Sequence, residues 1–197
     1  MSGTGSAQVW LVRHGETEWS RDGRHTSVTD VPLTDEGVRV AHELESRLAG
    51  GSFGLVLTSP RTRARRTAEL AGFAGAEVDD DLVEWSYGDY EGVTTAEIRE
   101  DVPGWSIWTH PAPGGETAAD VTARLDRVVA RARAALGDGT GQGESVLLFS
   151  HGHALRALAA RWIGQPVDEG RFLRLDTATV SVLGYERETP VILRWNA

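Results

Sequence analysis

Val9-Trp10-Leu11-Val12-Arg13-His14-Gly15-Glu16-Thr17 is a short apolar run that stops abruptly at Arg-His-Gly. Bounded so tightly, the run reads as a buried strand. It delivers a histidine to the strand tip, beside a fixed positive charge, with a glycine to turn the chain. The pattern returns far downstream as Val146-Leu147-Leu148-Phe149-Ser150-His151-Gly152. Two buried strands that each end in His-Gly predict one site assembled from both. An imidazole beside a guanidinium suits nucleophilic attack on a phosphate.

Outward from the first strand, Ser20–Pro32 reads as a polar loop, and Thr34 caps a helix to about Ala49, ended by Gly50-Gly51. Leu55–Thr58 is a second strand. Ser59 as cap and Pro60 as first helical residue open a helix that stops at Gly72. Ala76–Val78 is a short third strand. Residues 79–115 are irregular, rich in Trp, Tyr, Gly and Pro, with one short helix at Thr95–Glu100. Glu116–Leu136 has the apolar spacing of a long amphipathic helix, and Gly137–Gly143 reads as a turn. A strand at Ser145–Phe149, a helix at His153–Trp162 and strands at Phe172–Leu175, Thr179–Leu183 and Val191–Trp195 complete the chain. Strands alternating with helices predict a three-layer α/β/α fold with a largely parallel sheet. The expected organisation is a single domain over residues 1–197, with 1–7 a flexible leader and 79–115 an insertion over the sheet.

Composition narrows the chemistry. At 197 residues with 40% apolar content, one domain can bury a full core. No apolar run approaches the ~18–20 residues of a membrane span. The start lacks a basic stretch followed by an apolar one, so a cytoplasmic protein is expected. There is no cysteine and no lysine. That excludes cysteine nucleophiles, thiolate metal sites, a Walker-type lysine and Schiff-base chemistry. The net charge of −9 argues against nucleic acid and anionic membranes as partners. An anionic substrate then needs a local concentration of arginine.

Ligands of open parallel sheets bind beyond the carboxyl ends of the strands. Three strands end there in Arg13-His14-Gly15, in Thr58-Ser59-Pro60 ahead of Arg61, Arg63, Arg65 and Arg66, and in Ser150-His151-Gly152-His153. A phosphate monoester is a dianion above pH ~6 and repels a nucleophile until its charge is offset. Arginines supply bidentate, charge-assisted bonds worth roughly 1.5–3 kcal/mol each. Neutral His14 attacks through one ring nitrogen while the other donates to a backbone carbonyl. His151 is expected on the equatorial oxygens, best as imidazolium. Glu84, between Val83 and Trp85, is the candidate acid for the leaving group, in apolar surroundings that would keep it protonated.

These residues resemble the histidine phosphatase superfamily, the phosphoglycerate-mutase-like fold. The likeness runs from about Val9 to Leu183. It is carried by Arg-His-Gly-Glu-Thr at 13–17, Thr-Ser-Pro-x-x-Arg-Ala at 58–64, Glu84 ahead of Tyr-Gly-x-Tyr-Glu-Gly at 87–92, Gly-Gly-Glu-Thr at 114–117 and Ser-His-Gly at 150–152. Each motif alone is weak; the ordered set is specific. The resemblance implies a phosphohistidine at His14, a phosphate pocket of Arg13, Arg63 and His151 with the Gly152 backbone at its side, and Glu84 as proton donor. It implies no metal and no cofactor. The branch is similar to bacterial acid phosphatases and sedoheptulose-bisphosphatase-type enzymes.

The expected activity is therefore phosphomonoester hydrolysis of a small phosphorylated metabolite, such as a sugar phosphate. Ser20 stands where many relatives carry asparagine. Ser20, Thr26 and Tyr87 are candidate substrate contacts, against ordinary loop capping for the first two and local packing for the third. The alternative is a cofactor-dependent phosphoglycerate mutase. Only Arg99 and His110 are basic between Trp85 and Gly115, which disfavours it. Arg24 and Arg99 are the modest candidates for a second anion site. A non-catalytic phospho-ligand binder and a His151-x-His153 metal pair are further alternatives. His25, His42 and His110 read as surface or loop residues, and the C-terminal strands offer an edge for a homodimer.

Overall fold

The structure, a computed structural model, describes residues 7–137 and 143–197. Six strands form one sheet: β1 (Val9–Arg13), β2 (Phe53–Thr58), β3 (Glu77–Val78), β4 (Ser145–Ser150), β5 (Val180–Glu186) and β6 (Thr189–Arg194), in the order β3-β2-β4-β1-β5-β6. The first four in that order run parallel, and β5 and β6 close the sheet as an antiparallel hairpin. The long-range pairing of β1 with β4 sets Arg13 opposite Ser150, so both His-Gly pairs leave the sheet at one edge.

Strand periodicity divides the core into two layers. Val9, Leu11, Val146 and Leu148 face α5 (Ala118–Ala135) and α6 (Gly152–Trp162). Val12, Leu147 and Phe149 face α2 (Asp35–Leu48) and α3 (Thr62–Leu70). Apolar residues on both faces are what a covered parallel sheet requires. Leu125, Val128 and Ala132 of α5 and Leu155, Leu158 and Trp162 of α6 are buried against the first layer. The α/β/α sandwich expected from the sequence is the observed fold.

Several boundaries differ from expectation. Residues 20–32 begin inside a short helix, α1 (Glu18–Asp22), closed by a reciprocal cap between Thr17 and Ser20. Helix α3 starts at Thr62 with Arg61 as an uncapping N-cap. Ser59 does not cap it, because its hydroxyl is held by His151. Phe172–Leu175 is not a strand: a 3-10 stretch runs over Val167–Phe172, and the Leu175 carbonyl binds Arg13 instead of a ladder partner. Ala7 is buried in the main core and so is not part of a flexible leader. The rest of that leader and most of the Gly137–Gly143 turn fall outside the described residues. The 79–115 insertion carries α4 (Thr95–Asp101), and Trp85, Tyr87 and Trp105 pack into the core beneath it.

Candidate active site

A cavity of about 240 Å³ opens at the carboxyl edge of β1 and β4. Arg13, His14 and Glu84 line it, as do Ser20, Thr26, Tyr87 and Gly152. Arg63 and His151 do not: they form a layer directly behind His14. A larger hollow of about 460 Å³ between α3 and β3 contains no imidazole and lies away from both strand tips.

His14 follows β1, and its N–H continues the ladder to the Ser150 carbonyl at 3.0 Å. Its Nδ1 lies 2.7 Å from the Gly15 carbonyl, an acceptor only, so the ring proton sits on Nδ1. Nε2 keeps its lone pair. Burial, then the Arg63 and Arg13 guanidiniums, push the imidazole well below its ordinary titration range. The ring is neutral and oriented.

His151 follows β4 in the same way, with its ring 5.1 Å from that of His14. Both of its nitrogens are occupied. Arg63 Nε–H donates to Nδ1 at 3.2 Å, and Nε2–H donates to Ser59 Oγ at 2.7 Å. Burial and Arg63 hold it well below its ordinary range too. The expected imidazolium is therefore corrected: a cation cannot form where an arginine already donates to the ring. Arg63 itself is fully buried, donating also to the carbonyls of Thr26, Ser27 and Thr29.

Arg13 donates from Nη1 to the Leu175 carbonyl at 2.6 Å, while its buried Nε–H has no partner. An orphaned donor of that kind at a cavity wall is a place for an anion. Gly152 makes room for it, since a Cβ there would stand 3.3 Å from the Arg13 guanidinium.

Glu84 is held by a helix end. Its oxygens accept from the backbone N–H groups of His153 at 3.0 Å, Ala154 at 2.8 Å and Trp85 at 2.9 Å. The apolar enclosure expected from Val83 and Trp85 is thus replaced by the first turn of α6. The segment carrying Glu84 is fixed from outside, by Arg124 on the Asp81 and Val83 carbonyls and by Glu116 on Arg124 and the Ser86 N–H.

The Tyr87 hydroxyl is hydrogen-bonded with His153 Nδ1 at 2.6 Å, and burial holds the phenol well above its usual range, so it stays protonated. The Ser20 hydroxyl is spent on the α1 cap, and that of Thr26 on the Arg24 carbonyl at 3.0 Å. His25 is not a surface residue: it is buried against Tyr87 and Trp105, and burial lowers it to about 4. His42 is exposed, and His110 bonds the Thr109 hydroxyl. Arg99 leaves the candidate set because it does not line the cavity; its Nε donates to the Trp105 carbonyl.

Two contributors had little sequence signal. Glu91 accepts from the Ser27 and Thr29 N–H groups and the Ser27 hydroxyl, and so fixes the loop that grips Arg63. Arg156 lines the cavity one helical turn beyond Gly152. The spacing of Gly152 and Arg156 on one helix face was its only signal.

The sequence model of the histidine phosphatase superfamily (branch 1) matches residues 9–197. An acid phosphatase of Mycobacterium tuberculosis is 43% identical over 187 residues, which cover 93% of this chain and 89% of that one. A sedoheptulose 1,7-bisphosphatase of Saccharomyces cerevisiae is 38% identical over 186 residues, covering 81% of this chain and 68% of the relative. The solved structure of an open reading frame from Mycobacterium tuberculosis superposes with a TM-score of 0.90 at 40% identity, covering 96% of this chain and 97% of the other. The paired strand tips, the cavity between them and this extent of likeness agree: the chain belongs to the histidine phosphatase superfamily, branch 1.

Proposed function

We propose that this chain is a phosphomonoester hydrolase that works through a phosphohistidine at His14, without a metal, on a small phosphorylated metabolite such as a sugar phosphate. The observation that carries the reading is the bonding of His14. Nδ1 is spent on the Gly15 carbonyl, and burial with two guanidiniums keeps the ring neutral, so Nε2 is free to attack phosphorus. The names of the relatives, an acid phosphatase and a sedoheptulose 1,7-bisphosphatase, support the same class of reaction.

In the first step the Nε2–phosphorus bond forms as the ester phosphorus–oxygen bond breaks, and the leaving oxygen takes a proton from Glu84. In the second, water attacks the phosphohistidine and yields its proton to Glu84. The phosphorus–nitrogen bond breaks and inorganic phosphate leaves. Arg13, through its unpartnered Nε–H, offsets the transferring charge. Arg63 and His151 act from behind as positioning residues that hold His14 neutral and in place. Gly152 keeps the Arg13 side unobstructed, and Tyr87, Thr26 and Ser20 border the leaving group.

The test is to mix protein briefly with p-nitrophenyl phosphate, quench in alkali and map the phosphoryl adduct. An adduct on the His14 peptide that survives alkali and is lost in acid is expected. Turnover with no adduct, or with the adduct elsewhere, overturns the mechanism. Activity is expected to survive EDTA, and loss restored by a divalent cation would overturn metal independence.

A further inference from the structure

The guanidinium of Arg13 is aimed by a stretch of chain that has no ladder of its own. Its Nη1 donates to the Leu175 carbonyl at 2.6 Å, and the Ala178 N–H donates to the carbonyls of Arg13 and His14 at 3.1 and 3.2 Å. Residues 174–178 thus hold the Arg13-His14 pair both by a side chain and by its backbone. They lie between the 3-10 stretch and β5, in neither helix nor strand. The bonds that fix them come from beyond β6. Asn196 accepts the Asp176 N–H on Oδ1 at 2.7 Å and donates from Nδ2 to Asp176 Oδ2 at 2.9 Å. The Asn196 N–H is itself seated on the buried Ser181 hydroxyl at 3.0 Å. Trp195 Nε1–H donates to the Arg174 carbonyl beside it.

The backbone is strained at both ends of this contact. Among the described residues three besides glycine have a positive φ: Ala178 at 53°, Arg187 at 57° and Asn196 at 54°. Arg187 lies in the tight turn between β5 and β6, where such angles are ordinary. Asparagine tolerates the left-handed region, whereas an alanine stays there only where its surroundings over-determine it. Ala178 is over-determined: its N–H is held by Arg13 and His14, and its carbonyl accepts from Arg47 Nη1 at 2.9 Å. The Asp176 carboxylate is held below its usual range, first by the Asn196 amide, and its charge favours the Arg13 cation.

We propose that Asn196 is a positioning residue for phosphoryl transfer. Through Asp176 it fixes the Leu175 carbonyl, and through that carbonyl the direction in which Arg13 presents its unpartnered Nε–H to the phosphoryl group. Asn196 does not line the cavity and touches no reacting atom. It acts because a guanidinium is planar and rigid, so an anchor on Nη1 also sets the bearing of Nε–H. The proposal rests on the hydrolase reading for the reaction served; the aim of Arg13 is independent of turnover.

Asn196→Gly is the variant to make first, since glycine keeps the left-handed backbone without strain and removes only the amide. Its kcat/KM for p-nitrophenyl phosphate should fall roughly tenfold through a displaced Arg13. Binding of inorganic phosphate, followed by calorimetry, should weaken in parallel, while the melting temperature falls by no more than about a few degrees. A double-mutant cycle separates positioning from packing. In an Arg13→Gln background, Asn196→Gly should cost less than about twofold more, because aim no longer matters once the guanidinium is gone. Asn196→Asp provides a second route: it keeps an acceptor for the Asp176 N–H but sets two carboxylates against each other, and it should lose at least as much. Adding Asp176→Asn restores an amide–carboxylate pair and should recover most of that loss. Unchanged activity in both single variants, a loss that repeats in full without Arg13, or no recovery in the exchanged pair overturns the proposal. Absence of hydrolysis by the unmutated protein would instead overturn the hydrolase reading, and phosphate binding across the same cycle would still decide the role of Asn196.

Discussion

The tips of β1 and β4 look alike in sequence and are wired differently. Each is an apolar strand that ends in His-Gly, and the two histidines sit ring against ring at 5.1 Å, both neutral. His14 has one nitrogen tied to a carbonyl and the other free. His151 has both tied, one to a donor and one to an acceptor. The chemical role follows from what the hydrogen bonds leave over, since a nucleophile needs a lone pair without a partner. The electrostatics are nearly common to both tips. The assignment of nucleophile and support rests on Ser59 and Arg63, which close one imidazole and leave the other open.

Replacing each histidine is the sharpest way to break this comparison. His14→Ala should cost at least about 10⁴-fold in turnover and abolish the phosphoryl adduct, because the nitrogen that takes the phosphoryl group is gone. His151→Ala should cost roughly 10²–10³-fold and still form the adduct at His14, as expected for a lost orienting group. Rapid-quench labelling of both variants decides it. A His151 variant as dead as the His14 variant, with no adduct, would make the two tips equivalent.

The glycines that follow provide the next contrast. A Cβ on Gly15 would stand 2.6 Å from the Gly37 carbonyl oxygen, a backbone atom that cannot step aside. A Cβ on Gly152 would meet the Arg13 guanidinium at 3.3 Å, where a side chain can yield a few tenths of an ångström. Gly15→Ala should therefore lower stability by about 1–3 kcal/mol, read as a fall in melting temperature. Gly152→Ala should melt almost unchanged and lose roughly tenfold in kcat/KM through a displaced Arg13. The reverse pattern would place the structural and functional glycines the wrong way round.

What the sequence made legible was whatever strand pairing alone could deliver. Arg13, His14 and Gly152 reach one cavity because the parallel β1–β4 register forces both tips to one edge, and Glu84 and Tyr87, marked in the sequence by their motif, join them from the 79–115 segment. The layering behind His14 was not legible, since nothing in Thr58-Ser59-Pro60 says that the serine will bond a histidine 92 residues away in preference to its own helix. His25 is polar and flanked by polar residues, and its burial comes from Tyr87 and Trp105, far along the chain. Phe172–Leu175 has an apolar pattern that suits a strand, but Arg13 claims the Leu175 carbonyl. Basic residues are scarce between Trp85 and Gly115, which is what set hydrolysis ahead of mutase transfer in the sequence. The cavity draws its arginines beyond Arg13 from positions 24 and 156, while Arg99 within the segment does not line it.

A smaller effect isolates the wiring itself. Ser59→Ala removes the acceptor for His151 Nε2–H and nothing that faces the cavity. The loss of one buried bond, about 1 kcal/mol, should lower kcat roughly fivefold with KM little changed. Ser59→Thr keeps a hydroxyl and should restore most of it, which distinguishes positioning from packing. Full activity in the alanine variant would show that Arg63 alone holds the His151 ring.

The smallest expected effect reverses the direction of the comparison, because in proton linkage the two tips should behave alike. His14 and His151 are both held well below the ordinary histidine value by burial, with Arg63 next, and His25 is held at about 4 by burial. The unfolded chain takes up protons near pH ~6.5 that the folded one refuses. Stability is therefore complete above that pH and falls as the pH drops toward the lowered folded values. His14→Gln and His151→Gln should each flatten the acid slope of the melting curve by at most one proton, or about 1.4 kcal/mol per pH unit, and by similar amounts. Thermal melts between pH 7 and pH 5, outside any assay of turnover, measure this. Matching slopes beside widely different activities would separate the shared charge environment from the hydrogen bonds that distinguish the two histidines. A flattening confined to one variant would mean that the other titrates normally in the folded protein, and that its tip is more open to water than its burial implies.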